Sequence, residues 1–354
     1  MELRKLRRSA AVAGLALTGA GIACTGAVAV YAVGRCRRKS AKLDGRTVLI
    51  TGGSRGLGLA MAEEFGKAGA RLVLVARHSE ELERARWLLL RGRAVVSPDD
   101  VMVIAGDLRD PEIAERVIDQ ATSRFGAVDI LVNNAGVITV GPVENQTVDD
   151  FRDVMDSNFF SGLHCTLAVL PQMLARGRGS IVNIASIGGK VAVPHLLPYS
   201  ASKFAAVGLS EGLNAELRSK GIRVTTVCPG LMRTGSHLNA LFTGDAEREY
   251  RWFSLSAGLP GVSTSARCAA RKIVRATISG KSEIAITPQA MLAARLGNLC
   301  PTATMRAMQM ANAALPSAVS GRTEKRRGAE VRGREVKPAV VFAEAAARRY
   351  NQRG

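Results

Sequence analysis

Tyr199 and Lys203 stand four residues apart in the stretch Pro198-Tyr199-Ser200-Ala201-Ser202-Lys203-Phe204. On a helix that spacing puts both side chains on one face, a turn apart. A phenol ordinarily titrates near pH ~10. A fixed positive charge beside it favours phenolate and draws the pKa towards neutrality. A Tyr tuned in that way can give or take a proton at working pH, as general acid–base catalysis requires. Two surface residues on an ordinary helix have the same spacing. The chemistry therefore depends on what else the chain supplies.

A second stretch, Thr51-Gly52-Gly53-Ser54-Arg55-Gly56-Leu57-Gly58, follows an apolar run and opens a helical pattern. Glycines let a backbone turn sharply and approach a pyrophosphate, and a helix N-terminus offers N–H donors and positive potential. The spacing is G-x3-G-x-G rather than G-x-G-x-x-G. Further on, Leu74-Val75-Ala76-Arg77 ends the next apolar run. An acid at that place binds the adenosine ribose of NAD, whereas an Arg accommodates the 2′-phosphate of NADP. Ala76 and Arg77 provide no acid and one cation, and Arg55 adds a second cation. Planar guanidinium groups suit phosphate, so the expected cofactor is NADP(H). Solvated surface arginines are the plain alternative. Asp107-Leu108 follows a third run, with Asp107 placed to reach an adenine edge. Asn133-Asn134-Ala135-Gly136 ends a fourth, where small residues permit close approach and Asn side chains can tie strand ends together.

These turns need strands to carry them. Thr47–Ile50, Arg71–Ala76, Val101–Ala105, Val128–Val132, Ser180–Ala185, Arg223–Cys228 and Glu283–Thr287 read as strands, with helical patterns between them. Alternation of that kind predicts the α/β class: a Rossmann-type, doubly wound parallel sheet of about seven strands with helices on both faces. Each of the cofactor segments Thr51–Gly58, Ala76-Arg77, Asp107-Leu108 and Asn133–Gly136 lies at the carboxyl end of a strand, where ligands bind in such sheets.

Over Leu43 to Pro288 the chain resembles the short-chain dehydrogenase/reductase family. The motifs that carry the likeness occur in family order: Thr51–Gly58, Asn133–Gly136, Asn158, Ser186, Tyr199 with Lys203, then Pro229-Gly230 and Thr234. The resemblance implies reversible hydride transfer between a nicotinamide cofactor and a carbonyl/alcohol pair. The expected catalytic residues are Asn158, Ser186, Tyr199 and Lys203. Tyr199 would protonate the carbonyl oxygen, Lys203 would lower its pKa and hold the nicotinamide ribose, and Ser186 would orient the substrate oxygen. The likeness gives Asn158, inside a helix over 151–176, a water-linked proton relay; a helix-bending polar residue is the alternative. Thr234 resembles the residue that holds the nicotinamide carboxamide. The full cofactor set is Thr51, Gly52, Ser54, Arg55, Gly56, Leu57, Gly58, Arg77, Asp107, Leu108, Asn134, Ala135, Gly136, Tyr199, Lys203, Pro229, Gly230 and Thr234. No metal site is expected. His164, Cys165 and Cys228 read as structural, and His195 as a residue bordering the pocket.

Outside this domain (residues 43–288) the chain carries additions. Ala10 to Gly34 is a run of 25 residues without a charge, flanked by Arg4, Lys5, Arg7 and Arg8 and by Arg35, Arg37, Arg38, Lys39 and Lys42. As a helix it would span ~37 Å, enough for a ~30 Å hydrocarbon core. Residues 1–42 are therefore read as a transmembrane anchor, with a cleaved signal peptide ending near Ala29 as the rival. Basic flanks on both sides do not fix orientation; the catalytic domain is expected on the cytoplasmic side. Residues 289–316 have apolar residues at helical spacing and read as an amphipathic extension. Residues 317–354 are basic and read as a mostly disordered tail, with a short helix at Val340–Tyr350.

Among the 354 residues, 49 Lys+Arg against 30 Asp+Glu give a formal charge of +19, and 47% apolar content excludes a disordered chain. Much of the excess charge lies at the two ends. No stacking platform or groove motif accompanies the tail, so no nucleic-acid partner is expected. The six cysteines Cys24, Cys36, Cys165, Cys228, Cys268 and Cys300 are too scattered for a zinc site or disulfide framework and read as reduced thiols. Apolar residues before Tyr199 (Val191, Val193, Leu196, Leu197) and in Leu231–Pro260 (Leu238, Leu241, Phe242, Trp252, Phe253, Leu255, Leu259) lean towards a lipophilic carbonyl substrate, though core packing explains them equally. The expected protein is an NADP(H)-dependent oxidoreductase at a membrane; a catalytically silent NADP-binding sensor or scaffold is the alternative. Assembly as a homodimer or homotetramer is left open.

Overall fold

The computed structural model describes residues 43–258, 263–331 and 345–352. Its core is a seven-stranded parallel sheet. In chain order, β1 (Thr47–Thr51) leads through helix α1 (Gly56–Lys67) to β2 (Arg71–Ala76), and α2 (Ser79–Arg91) leads to β3 (Val101–Ala105). Helix α3 (Pro111–Phe125) crosses back to β4 (Ile130–Asn133), which pairs with the other side of β1. A short β5 (Thr139–Val140), helix α4 (Val148–Met155), a π-helical stretch Asp156–Phe160 and α5 (Ser161–Ala175) lead to β6 (Gly179–Ile184). Helix α6 (Leu197–Leu217) precedes β7 (Ile222–Cys228). Beyond β7 lie β8 (Met232–Arg233), β9 (Leu241–Phe242), α7 (Ala246–Gly258), β10 (Thr264–Ser265), α8 (Ala266–Ser279) and β11 (Glu283–Ala285).

Spatially the order is β3-β2-β1-β4-β6-β7-β11, all parallel. The chain winds one way from β1 to β3 and the other way from β4, so direction reverses between β1 and β4. The carboxyl ends of those two strands flank the switch point where such sheets bind ligands.

The strands are apolar on both faces, as a doubly covered parallel sheet demands. Val48, Ile50, Leu72, Leu74 and Val132 join the core under α1, α2 and α8. Their neighbours Leu49, Val73, Val75 and Leu131 join the core under α3 and α5. Successive residues of a strand point to opposite faces, so one run of five apolar residues serves two cores. The seven strands lie where the sequence placed them, to within a residue or two at most ends.

The two chain ends are different matters. The charge-free run Ala10–Gly34 lies outside the described residues. Among the described residues no helix is long and apolar enough to cross a membrane. The extension after Pro288 forms two helices, α9 (Pro288–Leu299) and α10 (Pro301–Asn312). Their Leu292, Leu296, Leu299, Met305 and Met310 are exposed rather than packed down.

The segment read as a disordered tail has ordered parts. β12 (Arg326–Arg327) pairs antiparallel with β9, and the next turn, α11 (Gly328–Val331), buries Val331. Residues 345–349 are helical, and Ala347, Tyr350, Asn351 and Gln352 are buried. Basic composition concealed this, because two of the buried side chains, Asn351 and Gln352, are polar and give no apolar period.

Candidate active site

Helix α6 starts at Leu197 with Pro198 in its first turn, a position that suits a residue lacking an N–H. Tyr199 therefore sits at the helix start, and Lys203 follows one turn later. The Lys203 Nζ lies 5.7 Å from the centroid of the Tyr199 ring. It is buried and donates to the Ile184 carbonyl at 2.9 Å, at the end of β6. Burial lowers its pKa from 10.5 to about 8.

The same burial pushes the Tyr199 phenol above its usual value, while the Ser186 hydroxyl beside it pulls the other way. This corrects the sequence reading, in which Lys203 draws the phenol towards neutrality. Lys203 is buried and Tyr199 partly so, which penalises ammonium and phenolate alike. One of the three Lys203 donors goes to the Ile184 carbonyl.

Ser186, two residues beyond β6, is extended and caps the turn Ile187–Gly189, its Oγ accepting from the Gly188 N–H at 3.0 Å. That bond fixes the hydroxyl beside Tyr199. A Cβ on Gly188 would lie 3.4 Å from Tyr199 Cε1 and 3.5 Å from Ser186 Oγ, so all three groups line one small space.

Asn158 sits inside the π-helical stretch, a wider turn often found at functional sites. Its Oδ1 accepts from Val137 N at 2.7 Å, and its Nδ2 donates to Val137 O at 3.1 Å and Ser202 Oγ at 2.9 Å. It clamps the loop after β4 onto α6. A Cβ on Gly136 would stand 2.7 Å from Asn158 Oδ1 and 3.7 Å from Lys203 Nζ, so the loop approaches both helical segments only because position 136 is glycine.

The glycine-rich turn is braced from β4. Thr51 Oγ1 accepts from the N–H groups of Asn134 and Ala135, each at 2.9 Å. Asn134 Nδ2 returns a bond to Thr51 O at 2.9 Å. Gly52 and Gly56 hold φ of +63° and +58°, a region open to glycine. Gly58 packs so tightly on the Gly52 carbonyl that a side chain has no room. Leu57, behind the turn, is buried in the core under α1. The N-cap of α1, Arg55, makes no side-chain cap bond. Helix starts leave backbone donors to be satisfied by caps, water or ligands. These residues fit a dinucleotide pyrophosphate.

Three expected contacts differ in detail. Arg55 Nη1 is held by Glu81 Oε1 and Asn239 Oδ1, both at 3.1 Å. Burial lowers its pKa, with Glu81 opposing and Arg77 and Arg327 adding. Glu81 thus neutralises one of the two cations assigned to a 2′-phosphate, and Arg77, exposed at the end of β2, is the other. Asp107 is clamped by Arg109 at 2.6–3.1 Å, which holds its carboxyl below the usual range. Leu108 buries its side chain in the core beside β3, leaving its backbone at the site; its carbonyl meets His164 Nδ1 at 3.1 Å.

Pro229 and Gly230 follow β7. The Pro229 carbonyl accepts from Ile187 N at 2.9 Å, and a Cβ on Gly230 would stand 2.5 Å from Thr287 Oγ1. Thr234 is buried, and its Oγ1 accepts from Ser236 N at 3.3 Å.

One group escaped the sequence reading. His195, buried and at φ +62°, meets Glu249 Oε1 through Nδ1 at 2.8 Å. Glu249 is fully buried, and its Oε2 accepts from Trp252 Nε1 at 2.6 Å. This network ties α7 to the loop four residues before Tyr199. No spacing rule joins positions 195 and 249, and Glu249 stands among Asp245, Glu247, Arg248 and Arg251, so nothing local marks it as buried. Phe242 and Phe253, read as pocket walls, are buried in α7's own core, and Leu238 is buried as well. Tyr199, Val193 and Trp252 are partly buried against it.

The family model described as short chain dehydrogenase matches residues 46–241, more than half of the chain. The chain belongs to the short-chain dehydrogenase family. A dehydrogenase/reductase SDR family protein 7-like of Anopheles gambiae is 37% identical over 267 residues, covering 75% of this chain and 83% of the relative. Dehydrogenase/reductase SDR family member 7B of Mus musculus is 36% identical over 225 residues, covering 64% and 69%. The crystal structure of a short-chain dehydrogenase from Streptomyces avermitilis superposes with a TM-score of 0.63 at 31% identity, covering 76% of this chain and 99% of that one. Levodione reductase superposes at 0.61 with 28% identity, covering 71% and 99%. As a short-chain dehydrogenase the protein is an oxidoreductase of a family that binds a nicotinamide cofactor, NAD or NADP.

Proposed function

We propose that the protein interconverts a carbonyl and an alcohol on a small lipophilic substrate, using NADP(H), with Tyr199 as general acid and base. The observation that carries this reading is the shared space of Tyr199 and Ser186 at the end of β6, with Lys203 one turn away. When bound, the cofactor supplies or accepts the hydride; the protein supplies position and protons.

In reduction, Ser186 Oγ donates to the carbonyl oxygen and holds it against Tyr199. The phenol, kept protonated by its buried setting, donates its proton to that oxygen as charge develops there. The Lys203 ammonium stabilises the resulting phenolate from one turn away. Asn158 holds the loop after β4 against α6 and so keeps Lys203 and Gly136 in register. Oxidation runs the same steps backwards.

Two features support NADP(H) over NAD(H). No carboxylate stands at positions 76 and 77, and Arg77 is exposed at the end of β2 beside Arg55. Trp252 and Leu255, partly exposed on α7, support a lipophilic substrate. The charge-free run Ala10–Gly34 supports membrane anchorage. The free thiols Cys165, Cys228, Cys268 and Cys300 suit a reducing, cytoplasmic face. Phe160, Leu167 and Leu174, exposed at seven-residue intervals, support self-association through α5.

The deciding assay follows the absorbance of NADPH and of NADH with a panel of lipophilic ketones and aldehydes. Consumption of NADPH in preference to NADH, dependent on the carbonyl, is the expected result. No consumption of either across the panel would point to a silent binder.

A further inference from the structure

The glycine-rich turn is already engaged by the chain's own C-terminal segment. Gly56 N donates to the Tyr350 carbonyl at 2.8 Å. Asn351 Nδ2 donates to the Ser54 carbonyl at 3.0 Å and the Glu81 carbonyl at 2.9 Å, and its Oδ1 accepts from Arg84 Nε at 3.3 Å. Gln352 takes the space a side chain on Gly56 would need. From there the segment reaches across to the loop after β7. Asn239 Nδ2 donates to Gln352 Oε1 at 2.6 Å, and Ala347 packs on Gly235, the residue after Thr234.

The two anchor points are the two sides of the cofactor crevice. Gly56 opens the helix whose N-terminus suits a pyrophosphate, and its N–H can serve one strong acceptor. Glycine at 56 leaves room for a close-lying ligand; here the Gln352 side chain uses that room. Asn239 spends its donor on the same residue and its acceptor on Arg55.

We propose that residues 345–352 and the cofactor are mutually exclusive ligands of the glycine-rich turn, so that the C-terminus acts as a built-in competitor. The proposal rests on the family's cofactor site at this turn. It holds whether the cofactor is NAD or NADP. Cofactor must displace the segment, and its apparent affinity is reduced by the fraction of molecules in the strapped state. Anything that drew the basic segment away would raise affinity without touching the catalytic residues.

The test uses full-length protein and two substitutions that loosen the segment. Asn351→Ala removes the bonds to Ser54 and Glu81; Ala347→Glu puts a charge at a fully buried contact. Hydrogen exchange is followed over residues 51–58 and 345–352, with and without saturating NADPH, and cofactor affinity is measured by titration. The expected result is protection of 51–58 and faster exchange of 345–352 when NADPH binds. Both variants should bind NADPH several-fold more tightly than wild type, with a single cooperative melting transition retained in its absence for the milder Asn351→Ala. Protection of both segments together, or weaker binding by the variants, would mean that the segment completes the site and would overturn the proposal. So would affinity and exchange at 345–352 that do not respond. Failure of NADPH and NADH to protect 51–58 would instead remove the cofactor site itself.

Discussion

The Lys203 ammonium lies 5.7 Å from the centre of the Tyr199 ring but gives its hydrogen bond to the Ile184 carbonyl. The two groups are close enough for charge to matter, yet each is governed first by its own burial. The phenol is stabilised in its protonated form and the amine is made unusually easy to deprotonate. In the proposed mechanism a pair set this way suits reduction, where the phenol starts with its proton.

That setting gives a pH dependence. Lys203 titrates at about 8 in the free protein, whereas the raised phenol holds its proton to higher pH. Reduction needs both protonated. The kcat/KM for NADPH, which reports the free enzyme, should therefore fall above pH about 8. Lys203→Arg should remove that limb, because a guanidinium stays charged. A wild-type profile flat to pH ~9.5 would show that the Lys203 charge is not required.

Cofactor choice turns on Arg77. Arg55 is shared with Glu81, so Arg77 should carry most of the contact to a 2′-phosphate. Charge-assisted bonds contribute roughly 1.5–3 kcal/mol each. Arg77→Ala should lower efficiency with NADPH by ~10-fold or more and leave NADH nearly unchanged. The loss should shrink at high salt, since the charge is exposed. Ala76→Asp should favour NADH, because the carboxylate accepts from ribose hydroxyls and repels phosphate. Equal loss of both cofactors in Arg77→Ala would place the phosphate elsewhere.

The His195–Glu249–Trp252 network should be a stability element. Trp252→Phe leaves the fully buried Glu249 one donor short, at a cost of roughly 1–3 kcal/mol in urea unfolding. Trp87, half-exposed on α2, is the control, and Trp87→Phe should be near neutral. Equal midpoints for the two variants would mean that Glu249 finds another donor.

Much of this site could be read from sequence because short-range rules govern it. The glycine spacing of Gly52, Gly56 and Gly58 is dictated by one tight turn, and Tyr199 and Lys203 by one helical turn. The strands showed as apolar runs because a parallel sheet is covered on both faces, so Leu49 and Ile50 are both apolar for opposite cores. What sequence missed is long-range pairing of polar side chains. Arg55 with Glu81 and His195 with Glu249 obey no shared spacing, and the first redirects a charge that local reasoning had assigned to a phosphate. Pro198 to Lys203 gave the pair's geometry but not its pKa values, since burial is set by elements far away in the chain. The C-terminal contacts on Gly56 and Gly235 belong to the same class.

Membrane attachment rests on the run Ala10–Gly34. Full-length protein should pellet with membranes and resist carbonate extraction, and deletion of residues 1–39 should release active protein. A soluble full-length protein, or a mature N-terminus near Ala29, would rule out the anchor.

The central claim is that Tyr199 moves the proton. Tyr199→Phe removes one oxygen, at a site where the ring packs against the apolar core under α7 and so remains in place. The decisive measurement is turnover of this variant with NADPH and a carbonyl substrate, alongside its NADPH dissociation constant. The account predicts unchanged cofactor affinity and a ~10²–10⁴-fold loss of kcat, the range for a general acid. Near-wild-type turnover with intact cofactor binding would contradict it.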